Sequence, residues 1–178
     1  MAPIYLRAVA AALACAIAGP ACAHAMLVTP AAEAGSFYKA AIAITHGCAG
    51  SATREVIVEI PAGVQNAKPM PKPGWRIELT SAPLAQPRES HGRKISEAVT
   101  RIRFYGGKLP NAYYDEFSIA VTLPDQAEPV YWPVTQICER GRNEWREVPA
   151  PGQSAADLKS PAPRLDLTPP GPMAHHRH

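Results

Sequence analysis

Between residues 36 and 138 the chain is built of short apolar runs, several of them strictly alternating. They are "SFYKAAIAIT" (36–45), "REVIVEIP" (54–61), "WRIELTS" (75–81), "VTRIRFYG" (99–106), "DEFSIAVTLP" (115–124) and "VYWPVTQIC" (130–138). Each has the period of a strand, and no amphipathic helix of about 12 residues fits between them. Glycine, proline and asparagine punctuate the gaps, as in "AGVQNAKPMPKPG" and "GGKLPN". Short strands joined by turns, with no helical crossovers, predict an all-β antiparallel sandwich of the immunoglobulin or cupredoxin-like kind.

The first 23 residues, "MAPIYLRAVAAALACAIAGPACA", have a different composition: one early charge, Arg7, then an alanine-rich apolar run. The run is too short and too alanine-rich for a membrane-spanning helix. It ends on Ala21-Cys22-Ala23, the small-x-small pattern of a signal-peptidase site, so residues 1–23 read as a signal peptide cut between Ala23 and His24. Pro20 favours this frame by breaking the helix just before the cut. A second frame, Ala23-His24-Ala25, leaves Met26 in front. The mature protein is expected in the periplasm or outside the cell, with no membrane span.

The net charge is +3, of which the leader contributes only Arg7. So small a surplus is no footprint for nucleic acid. Cys15 and Cys22 leave with the leader, and Cys48 and Cys138 remain. Two cysteines in an oxidising compartment predict a disulfide. The rival, a copper thiolate pair, finds no second close thiol beside either one. From about residue 149 the chain becomes proline-rich and poor in apolar residues. Residues 151–178 are therefore expected to form a disordered Pro/His tail behind a domain of residues 24–150, with Leu165 and Leu167 docking weakly at most.

Cleavage after Ala23 would place a histidine at the chain start. The α-amino nitrogen and ring of His24 then close a chelate on one metal ion, and nitrogen donors of this kind favour copper(II). The stretches "HAMLVTPAAEAGSFYKA", "HGCAGSATREVIVEIPAGV", "KPMPKPGW", "YYDEF" and "YWPVTQICERGRNEW" resemble the YcnI-type copper-binding proteins. These are secreted single domains whose mature chain begins with histidine. The resemblance covers roughly residues 24–150 and implies a copper(II) site, the monohistidine brace, formed by the amine and ring of His24. It also implies a tryptophan nearby: Trp145 in "RNEW" is the better match and Trp75 in "PKPGW" the alternative. The "HAMLVTP" start departs from the family's shorter "HVT"-like opening.

An amine and one imidazole leave room for a carboxylate, and Glu33 and Glu116 are the candidate acidic ligands. His46, in "THGC", offers a second nitrogen or simply a polar turn beside the disulfide. His91 and the "HHRH" run at 175–178 read as a loop histidine and an auxiliary metal-binding tail. Met26 shares a strand face with position 24, which leaves a thioether near the site. The methionines are otherwise scattered, against a copper(I) carrier.

There is no GxSxG, HExxH, phosphate loop or unpaired cysteine nucleophile in the mature chain. The leading expectation is a non-enzymatic copper chaperone or sequestration module of copper homeostasis. Its partners would be the copper ion and another periplasmic or inner-membrane copper protein. The alternatives are a copper-dependent oxidative enzyme and a metal-free immunoglobulin-like assembly module.

Overall fold

The computed structural model describes residues 24–90 and 92–171. The signal-peptide reading, His91 and the "HHRH" run lie outside the described residues. The strands are β1 (Met26–Leu27), β2 (Ala31–Glu33), β3 (Phe37–Ile44), β4 (Thr53–Glu59), β5 (Gln65–Pro69) and β6 (Arg76–Ser90). They continue with β7 (Arg93–Leu109), β8 (Asp115–Thr122), β9 (Val130–Tyr131), β10 (Val134–Cys138), β11 (Arg142–Trp145) and β12 (Arg164–Thr168). Ala155–Asp157 form a short 3₁₀ turn. No helix among the described residues is long and apolar enough to cross a membrane.

The chain is an all-β sandwich. One sheet has the order β1-β3-β8-β5 and the other β11-β10-β4-β7-β6. The alternation read in the sequence produces the core. Ile42 and Ile44 of β3, Phe117 and Ile119 of β8, Val56 and Val58 of β4, and Ile102 and Phe104 of β7 are all fully buried between the sheets. Phe104 and Phe117 close the gap from opposite sheets, ring centroids 5.2 Å apart. Apolar area removed from water at these positions is the main source of stability.

The run at 130–138 is two strands, not one. Pro133 has no N–H to give a ladder, and the chain passes from β9, in a third, three-stranded sheet, to β10 in the five-stranded one. The runs at 75–81 and 99–106 are the inner parts of a much longer hairpin. Beyond the last β4 pair, Glu59 with Arg101, β6 and β7 continue together to Ser90 and Arg93. Pro83 and Pro87 are tolerated there because the projecting arm has fewer partners, and the register shifts between Pro83 and Arg88.

The expected disordered tail is corrected over residues 151–171. β12 pairs in parallel with β2 and antiparallel with β9, and Leu165 and Leu167 are buried. The domain therefore extends well past residue 150. Low apolar content concealed this strand, because two leucines suffice once a groove beside β2 and β9 exists to receive them.

Candidate metal centre

His24 is half-buried and lies two residues before the start of the edge strand β1 at Met26. Ala25 and Leu27 point into the core while Met26 is exposed, so the inward-outward alternation places position 24 on the outer face with Met26. β1 pairs with β3 as Met26 with Ala43 and Leu27 with Ile42. Continued by two residues, that register sets His24 opposite Thr45, the residue before His46.

His46 stands on a loop held from several directions. The Cys48–Cys138 disulfide closes it, with Cα atoms 5.9 Å apart. The fully buried Gln136 amide donates to the His46 carbonyl at 2.7 Å and to Thr53 Oγ1 at 2.6 Å, and its Oε1 accepts from Asn143 at 2.7 Å. Gly47 N–H donates to Asn111 Oδ1 at 3.0 Å. A Cβ on Gly47 would lie 1.8 Å from the Ser51 carbonyl oxygen, so only glycine lets the loop close this tightly.

The His46 ring is oriented as well. Its Nδ1 lies 2.5 Å from the Gly47 carbonyl; a carbonyl only accepts, so Nδ1 carries a hydrogen, and in the neutral ring the lone pair falls on Nε2. The ring meets the buried indole of Trp145 edge-on, centroids 6.4 Å apart. Trp145 is in β11 and pairs with Val134 of β10. His46 and Trp145 thus meet at one end of the molecule, and the β1–β3 register carries the His24 backbone to that end of β3.

Trp75 is elsewhere. It sits against Phe117, ring centroids 4.9 Å apart, in a slot where a Cβ on Gly107 would come within 2.3 Å of the indole. Lys72 of the same "PKPGW" segment donates to Asp115 at 2.6 Å and lies 5.0 Å from the Phe117 ring. The segment closes the sandwich over β8. Trp75 leads into β6 and Trp145 ends β11, opposite edges of the five-stranded sheet, four strand spacings or roughly 20 Å apart.

The two candidate carboxylates also separate. Glu33 ends β2 at the far end of β3, where its carboxylate accepts from Gly171 N–H and its carbonyl from Ser36 Oγ. The length of β3, roughly 25 Å, lies between it and His24, so the two are not brought together. Glu116 is on the outer face in the row Met26–Ala43–Glu116. β3 intervenes, keeping the backbones of Met26 and Glu116 roughly 10 Å apart. Its Oε1 accepts from Tyr114 at 2.9 Å. Among the described residues no three His, Cys, Asp or Glu side chains form a metal-holding group. The local donors are nitrogen: the His24 ring, the His46 Nε2 lone pair and, on a cleaved chain, the His24 amine.

The family model described as "Domain of unknown function (DUF1775)" matches residues 24–167. The chain belongs to this family. The DUF1775 match opens on His24 and reaches into β12, in agreement with the extended domain. No curated protein matches the chain. A solved structure, "Crystal structure of an uncharacterized protein from Nocardia farcinica reveals an immunoglobulin-like fold", is similar over 81% of this chain and 97% of that one. Its TM-score is 0.59 at 22% identity, a likeness of fold alone. This DUF1775 domain shares that immunoglobulin-like architecture.

Proposed function

We propose that the protein is an exported copper(II)-binding protein in which removal of residues 1–23 creates the site. The new amine and the ring of His24 form a monohistidine brace of the YcnI type, and the protein acts as a copper carrier or sequestering module, not as an enzyme. The observation that carries this reading is the juxtaposition at the β1 edge. The DUF1775 match begins at His24, and that residue leads into an edge strand beside the His46–Trp145 pair. Two nitrogens on one residue make a compact chelate that suits copper(II). A site at a chain terminus exchanges its ion with little rearrangement, which suits handover to another exported or membrane-bound copper protein. Trp145 shields the ion, and Trp75 serves the core.

Mass spectrometry of the exported protein, combined with copper(II) titration followed by electron paramagnetic resonance, tests the reading. The expected result is a chain beginning at His24 that binds one copper(II) with nitrogen hyperfine structure. That signal is lost when a methionine precedes His24. A mature chain beginning at Met26, or equal binding by both starts, would overturn it.

A further inference from the structure

The outer face of the four-stranded sheet carries a trough unrelated to the His24 edge. Beyond the sandwich the β6–β7 arm reaches the end of β5, where Arg88 donates to Asn66 Oδ1 at 3.1 Å and Asn66 donates to Thr122 Oγ1 at 3.2 Å. Asn66 adopts a left-handed conformation, φ 57°, at the bulge where the β5 register shifts. Between this arm and the sheet lies a cavity of about 520 Å³, continued along β8 by a second of about 310 Å³. They share Phe37, Lys68 and Ala120.

The lining combines exposed apolar surface with unpaired positive charge. Phe37 is 75% and Met70 55% exposed, large apolar side chains at opposite corners of one cavity on this face. Lys39, Ala120 and Lys68 form one row across β3, β8 and β5, which sets a cation on each side of the trough, and Arg93 adds a third from the hairpin. None of the three makes an ion pair among the described residues, and no acidic side chain lines either cavity. The closest acid on the β8 face, Glu116, lies beyond Ser118 and is engaged by Tyr114.

We propose that this trough binds an extended acidic peptide segment of a partner protein, with its carboxylates on Lys39, Lys68 and Arg93 and apolar side chains against Phe37 at one end and Met70 at the other. Lys39 and Lys68 are two strand spacings apart, roughly 10 Å between backbones, which matches spaced carboxylates better than one small anion. From Thr122 to Ser118 the trough follows β8 for roughly 14 Å, the length of about four extended residues. A concave groove under a hairpin does not fit a flat lipid surface. Rim cations of this kind accelerate encounter with an acidic partner and make binding salt-dependent.

Fluorescence anisotropy of a labelled peptide of alternating glutamate and leucine, titrated with the copper-free full chain, tests the proposal. Saturable binding is expected at low salt, weakened at least tenfold by K39E/K68E and severalfold by Phe37→Ser. Far-UV circular dichroism verifies folding, and K39Q/K68Q provides a milder charge loss. Absence of saturable binding overturns the proposal, as does binding that survives both lysine variants. Equal binding of a glutamate–serine peptide or of dextran sulfate overturns it in favour of general polyanion attraction. Copper takes no part in the assay, so this result stands apart from the His24 reading.

Discussion

His46 meets Trp145 edge to face, ring centroids 6.4 Å apart and planes at 85°. The pair joins the end of β3 to β11 across the sandwich, and it marks the edge at which β1 begins.

On the copper-binding reading, that placement distinguishes the tryptophans. Copper(II) bound at His24 is expected to quench tryptophan emission through Trp145, which is on its side of the molecule, and scarcely through Trp75. Trp145→Phe should remove most of the copper-dependent quenching, and Trp75→Phe should retain it. Steady-state emission during titration reads the difference.

Gln136 is the hub that holds the His46 loop. Gln136→Leu keeps the volume but leaves the His46 carbonyl, Thr53 and Asn143 without their partner. An orphaned buried group costs about 1–3 kcal/mol. Urea denaturation should show a loss of at least that size, with a shifted His46 ring resonance in the remaining folded protein.

The Cys48–Cys138 bridge spans 90 residues of sequence. C48A/C138A should lower unfolding stability by about 2–5 kcal/mol, the usual cost of removing a native bridge. Guanidinium denaturation of the variant against the oxidised chain measures it.

Burial pushes the Tyr38 hydroxyl up to about 12, while in the unfolded chain it titrates near its ordinary value of about 10. Above that ordinary value the unfolded chain releases a proton that the folded chain keeps. Stability is therefore full below pH about 10 and declines as pH rises toward 12. Tyr38→Phe should flatten this alkaline decline. It should also lower stability at neutral pH, because the hydroxyl donates to the Thr29 carbonyl at 2.6 Å. Denaturation midpoints between pH 8 and 12 check both.

Strand alternation made β3, β4 and β8 legible, since residues such as Ile42, Val56 and Phe117 repeat at the period of a pleated strand. The disulfide was legible from Cys48 and Cys138, the two cysteines outside the leader-like first segment. The strand at "HAMLVTP" was legible too, although only Met26–Leu27 of it pairs as β1; β5, read as turn punctuation, was not, because "QNAKP" carries too few apolar residues to show a period. The sequence also offered Glu33 and Glu116 on equal terms. Nothing local to either residue says that the full length of β3 separates Glu33 from His24.

Local composition alone determined that this chain forms short strands, closes on one cysteine pair and carries a histidine beside a leader-like segment. Those properties depend on side-chain periodicity and covalent chemistry within a few residues. Only the tertiary structure decided that Leu165 and Leu167 dock beside β2, that Trp145 and not Trp75 shares an edge with His24, and that Lys39 and Lys68 flank one trough. These depend on which strands become neighbours. Strand order follows from the burial of the whole chain at once, a sum over contacts far apart in sequence that no single stretch records.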